Sequence, residues 1–171
     1  MTELFYYGGA MYPDYIRRGN AMQFIEPVAR QFCTGRGLDI GGGKWPLPGA
    51  ILVDQTIPAM AGSKNDAMDL PFDDDKKWDY IFSSHCLEHL PNPVAALAHW
   101  KTRLKPGAPL FLHLPHPDMT YWLPQNCIKH LHSWYPMQVA DMLGDLGYFD
   151  VIHSERDMCW SFSVVGWKGE E

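Results

Sequence analysis

The chain has 171 residues, a net charge of −6 and 46% hydrophobic residues, the size and composition of one domain with a full core. No block of Lys or Arg offsets the acidic balance, which argues against a nucleic-acid backbone as partner. No signal peptide is evident, no apolar run is long enough to span a membrane, and the four cysteines show no CxxC spacing, so reduced thiols in a cytoplasmic protein are expected.

Residues 1–13 are rich in aromatics and glycine (Phe5, Tyr6, Tyr7, Gly8, Gly9, Tyr12) and read as an arm. Ile25, Val28, Ala29 and Phe32 recur at helical spacing, so a helix is expected over 14–32, kinked or split at Pro27. Strands are expected at 36–40 and 50–54, a weak one near 63–66, and a stronger one at 78–83. Asn92-Pro93 starts a helix with Val94, Leu97, Trp100 and Leu104 inward, and Pro106-Gly107 stops it. Residues 109–114 form the next strand. Pro136 opens a helix with Val139, Met142, Leu143 and Leu146 inward and Gly147 as its stop. Residues 149–155 and 160–168 close the chain as an antiparallel pair. Alternating strands and helices define an open α/β sheet.

Two segments break the pattern. Only seven residues separate Gly43 from Ile51, two of them proline. A parallel crossover normally takes a dozen or more residues, so the first crossover helix must be shortened or absent. The segment 115–134 has little periodicity but carries Met119, Tyr121, Trp122, Ile128, His130, His132 and Trp134. Long irregular loops in compact domains are usually functional or disordered, and the aromatic content opposes disorder.

The chemistry concentrates in the run Arg36 to Gln55. A short apolar strand ends in Asp39, Gly41, Gly42 and Gly43 follow, and a second strand ends in Asp54. Glycines after a strand let the backbone approach a ligand. An acid at the tip of the next strand can accept two hydrogen bonds from a ribose diol. Ser83, Ser84 and His85 follow the strand expected beside the glycine strand, where open α/β sheets bind ligands.

These segments, with Asp66-Ala67-Met68-Asp69-Leu70-Pro71-Phe72 and the stretch from Ser84-His85-Cys86-Leu87-Glu88-His89-Leu90 to Leu104-Lys105-Pro106-Gly107, resemble the class I S-adenosylmethionine (SAM)-dependent methyltransferases of the type 11 group. The resemblance is good from Arg36 to Pro117. It implies an open Rossmann-like sheet of seven strands, six parallel and the last antiparallel, within a single domain over 1–171. The subdivisions are an N-terminal arm and helix (1–35), a cofactor-binding core (36–117), a candidate lid (115–134) and a closing helix and strand pair (135–171). It implies SAM as cofactor, with Asp54 at the ribose, Gln55 among the cofactor-binding residues, Asp66, Ala67 and Met68 at the adenine, and backbone groups from Asp39 to Gly43 at the methionine end. Family members usually carry a further glycine where Trp45 stands, and the turn Pro48-Gly49-Ala50 resembles that of shortened members.

The expected function is methyl transfer from SAM to a small metabolite or biosynthetic intermediate. A non-catalytic SAM-binding or partner-binding domain is the alternative, and a protein or nucleic-acid methyltransferase is a third reading that the acidic charge disfavours. A homodimer is left open. A general base helps when the acceptor is a hydroxyl or a protonated amine, and histidine titrates in the useful range. His85 is the first candidate, His116 the second and His132 the third. Ser83, Ser84 and His85 are placed near the methyl group. His85 and His89 are spaced as HxxxH, but no third ligand is defined and the family uses no metal there, so no metal is expected and Glu88 and His89 read as local hydrogen-bonding groups. Trp122 and Trp134 are placed at the substrate pocket.

Overall fold

The computed structural model describes residues 3–18, 20–56, 65–73 and 75–169. Strands β1 (Leu4–Tyr7) and β2 (Ala10–Pro13) form an antiparallel hairpin where an arm was expected. Its turn is Gly8-Gly9, with φ of +56° and +90°, the left-handed pair that a tight two-residue hairpin demands. Helices α1 (Tyr15–Arg18) and α2 (Met22–Ala29) follow, so the expected single helix is split before Met22, and Pro27 lies inside α2.

The main sheet contains β3 (Gly37–Ile40), β4 (Ile51–Val53), β5 (Tyr80–Ser84), β6 (Pro109–Pro115), β7 (Tyr148–His153) and β8 (Ser161–Lys168), in the spatial order β4-β3-β5-β6-β8-β7. β8 runs antiparallel to both neighbours, and the other five share one direction. The described residues thus give six strands in this sheet where seven were expected. The weak strand placed near 63–66 begins outside the described residues, and Asn65 and Asp66 lie in irregular backbone.

Alternation along the strands fills both faces. Leu38, Ile40, Ile81, Leu110, Leu112 and Val164 face one core, which α3 (Pro93–Arg103) covers with Ala96, Leu97 and Trp100, and α4 (Pro136–Asp145) with Val139 and Leu143. Asn92 caps α3 through the Ala95 amide at 3.1 Å, as its position before Pro93 predicts. Val94, expected inward, is exposed: it lies off the face of Ala96, Leu97 and Trp100. Tyr80, Phe82, Phe111 and Val165 face the second core, under Met22, Ile25 and Ala29 of α2.

The first crossover has no helix, as its length requires. Turns close between Gly42 and Trp45 and between Leu47 and Ala50, and Leu47, 2% exposed, enters the second core beside α2. A third, smaller core joins hairpin and candidate lid: Tyr12, Ile16 and Met119 are buried together, with Phe5, Tyr7, Tyr121, Trp122 and Trp160 against them.

Candidate active site

A cleft of about 360 Å³ opens at the carboxyl ends of β3 and β5. Gly41, Gly42, Gly43, Lys44 and Trp45 form one wall, and Ser84, His85 and His89 another. Tyr15, Ile16 and Arg17 of α1 close one side, and Trp122 and His130 of the 115–134 segment line it as well.

The glycine loop is fixed by what lies behind it. A Cβ on Gly41, whose φ is +80°, would meet the Cys86 Cβ at 2.4 Å, and one on Gly42 would meet Asp39 Oδ2 at 2.5 Å. The Gly43 amide donates to Asp54 Oδ2 at 2.9 Å, so the acid at the tip of β4 grips the loop directly. Asp54 Oδ1 accepts from the Thr56 amide and hydroxyl, and Gln55 is exposed. Asp39 is fully buried and does not line the cleft. Its Oδ2 accepts from the Leu47 amide at 2.6 Å and ties down the shortened crossover, while Oδ1 has no hydrogen-bond partner. Burial pushes its carboxyl up to about 7; the Leu47 bond opposes this and the charge of Asp54 adds to it.

Asp66 folds over its own chain, its Oδ1 accepting from the Met68 amide at 2.8 Å. The Ala67 carbonyl accepts from Trp100 Nε1 at 2.7 Å, which fastens this loop to α3. Ser83, buried, donates to the Ile40 carbonyl at 2.8 Å and joins the tips of β5 and β3.

His85 stands at the cleft with φ +51°, a sparsely populated region for a residue with a Cβ. Its amide donates to the His113 carbonyl, its Nε2 lies 2.9 Å from Ser161 Oγ, and its ring packs edge-on to Trp122. Burial, then the nearby His113, His130 and His89, hold its imidazole well below the usual range. His116 and His132 do not line the cleft. His116 packs between Tyr135 and Phe162 and accepts from the Asp118 amide through Nδ1. His132 donates from Nε2 to the Leu90 carbonyl and stacks on Trp134. Trp122 reaches the cleft as expected, and Trp134 instead packs on the first core.

The α1 residues and His130 carried no assignment from the sequence, and of the two groups expected to hydrogen-bond locally His89 does so, to the Lys129 carbonyl, while the Glu88 carboxyl beneath the cleft does not. Glu88 lies in the helical turn Leu87–His89 after β5, fully buried, with neither carboxylate oxygen hydrogen-bonded. Burial pushes it up to about 8. Its backbone carbonyl accepts from the Leu131 and His132 amides, and this draws His130 to the cleft. Burial, with a smaller contribution from His89, lowers His130 to about 4.

The shape of the site suits a cofactor held by backbone: the glycine loop faces the cleft without side chains, and the described turn between β3 and β4 leaves that face open. A family model described as a methyltransferase domain matches residues 14–168, and the chain belongs to that family. Solved structures agree on the fold. A SAM-dependent methyltransferase from Thermotoga maritima is 16% identical, with TM-score 0.71 over 90% of this chain and 92% of that one. One from Archaeoglobus fulgidus is 19% identical, with TM-score 0.62 over 90% and 98%. Phosphoethanolamine N-methyltransferase 2 of Haemonchus contortus, crystallised with SAM, is 16% identical, with TM-score 0.55 over 78% of this chain and 37% of that one. No curated protein sequence matches the chain. Family and fold together make the protein a SAM-dependent methyltransferase.

Proposed function

We propose that the protein transfers a methyl group from SAM to a small metabolite or biosynthetic intermediate. One observation carries the reading: the side-chain-free glycine loop of β3 and the histidine at the tip of β5 line the same cleft. SAM supplies an already activated methyl carbon, so transfer needs no covalent nucleophile from the protein. What the chain must do is orient the acceptor and exclude water.

In this reading the backbone from Gly41 to Gly43 meets the methionine end of the cofactor, and Asp39, expected there from the sequence, acts from behind the loop through its bond to the Leu47 amide. Asp54 takes the ribose, since Oδ2 keeps acceptor capacity beyond its bond to Gly43. Gln55 flanks it, Asp66, Ala67 and Met68 hold the adenine, and Ser83 and Ser84 support the strand tip. His85 positions the acceptor and takes its proton. Of the three histidines expected as candidates His85 lines the cleft and His116 and His132 do not, so the base is assigned to His85. Trp122 and α1 form walls that shield the reaction from water.

Two experiments test this. Incubation with methyl-labelled SAM and cell extract, followed by fractionation by mass, should place label in small molecules; label in polymers overturns the acceptor class, and tight SAM binding without turnover overturns catalysis. His85→Ala should lower turnover by about 10²- to 10⁴-fold, the usual worth of a general base, with SAM affinity nearly unchanged by calorimetry. Full turnover in that variant removes His85 from the chemistry.

A further inference from the structure

At the floor of the cleft three imidazoles surround one buried carboxylate. Glu88 Oε1 lies 3.5 Å from His85 Nδ1, 3.8 Å from His89 Nε2 and 3.9 Å from His130 Nε2. These separations exceed a hydrogen bond, and neither oxygen of this wholly buried carboxylate has a hydrogen-bond partner. A buried carboxylate in that condition is costly unless a countercharge or a proton donor reaches it. Single ligand atoms of Glu88, His89 and His130 all lie within 4.8 Å of one another.

We propose that Glu88, His89 and His130 form a binding site for a divalent transition-metal ion of the zinc class, with its open coordination positions facing the cleft. Four features support it. The donor set, two imidazole nitrogens and one carboxylate oxygen, suits such ions and not magnesium or calcium, which prefer oxygen. The spacing is right: ligands about 2.1 Å from a tetrahedral ion stand about 3.4 Å apart, so the observed gaps close with shifts of a few tenths of an ångström to about an ångström. One of the two imidazoles is already oriented by a hydrogen bond on its far side. His89 Nδ1 lies 2.7 Å from the Lys129 carbonyl, which can only accept, so Nδ1 carries the proton and Nε2 faces Glu88 with its lone pair free. The entry path exists, since His89 and His130 both line the cleft. Three protein ligands leave at least one position for water or another donor, as in catalytic rather than structural zinc sites.

The HxxxH spacing of His85 and His89 pointed elsewhere. The ring that His89 shares a centre with is His130, forty-one positions on, brought in by the bonds from Leu131 and His132 to the Glu88 carbonyl. His85 lies outside this ligand set, its Nδ1 3.5 Å from Glu88 Oε1 and its Nε2 2.9 Å from Ser161 Oγ.

The test reads metal directly and needs neither SAM nor acceptor, so its outcome is independent of the proposed methyl transfer. Protein dialysed against chelator is titrated with Co²⁺, followed by its visible absorption, and with Zn²⁺ by calorimetry. The expected result is one equivalent of either ion. Glu88→Gln, His89→Ala and His130→Ala should each weaken binding by at least tenfold, and His153→Ala, an exposed histidine on β7, should leave it unchanged. Circular dichroism of each variant establishes that it folds. Should His130→Ala not fold, His89→Ala carries the comparison, since its side chain is 35% exposed. No uptake by the wild type overturns the site, as does uptake that survives His89→Ala and Glu88→Gln.

Discussion

Asp39 shows at the scale of one residue how the fold and the loop are coupled. Its buried carboxyl is raised to about 7, chiefly by burial, while an unfolded aspartate titrates near 3.9. The folded state therefore binds the proton more tightly. The associated stability is full below about pH 4 and is lost as pH rises through about 7. Cys33, Tyr80 and Cys86 also feel this charge. Asp39→Asn removes the titration and keeps an acceptor for the Leu47 amide. Between pH 5 and pH 8 the wild type should lose about 2–3 kcal/mol more stability than the variant. Urea unfolding of both proteins at the two pH values measures this, and parallel losses refute it.

Among the elements, the shortened crossover is the most unusual, and Leu47 takes over much of a helix's packing role. With Met22, Ile25, Ala29, Tyr80 and Phe82 it forms part of the second core, and its amide is the one Asp39 holds. Leu47→Ala should cost about 2–5 kcal/mol, the range for a buried leucine cavity, and should weaken SAM binding because the same turn carries the glycine loop. Thermal unfolding and calorimetry give the two numbers; a loss of stability alone would confine Leu47 to packing. This element was legible in the chain, because seven residues cannot hold a crossover helix whatever their neighbours do. Helix starts at Pro93 and Pro136 were legible for an equally local reason, proline at the first turn. The hairpin carried its signal in Gly8-Gly9 between two aromatic runs, but read alone it looked like an arm: its pairing residues gain their burial from Met119 and Trp160, far along the chain. The grouping of Glu88 with His130 was not legible. Two loops meet there through backbone bonds, and no spacing rule links them.

At the scale of the whole molecule the three cores are unequal. Two lie on the faces of the sheet, and the third joins the hairpin to the 115–134 segment at the edge of the cleft. Tyr12 is its centre: 1% exposed, its ring edge-on to Trp160 at 4.8 Å and its hydroxyl 3.2 Å from Thr120 Oγ1. A small core away from the main sheet can open without global unfolding. Hairpin and segment share it, so they should open together, uncovering Trp122 and His130 at the cleft wall. We propose this joint opening as the motion of a lid. Tyr12→Ala should therefore speed proteolytic cutting within 115–134 several-fold while shifting the global unfolding transition less than Leu47→Ala does. In the wild type, SAM with acceptor should slow cutting in both segments together, because closure over ligand favours the packed state. Limited proteolysis read by mass spectrometry resolves the two segments. Cutting at equal rates with and without ligands would reduce the third core to a structural clasp. Protection of the 115–134 segment alone would show that the hairpin is not part of the moving body.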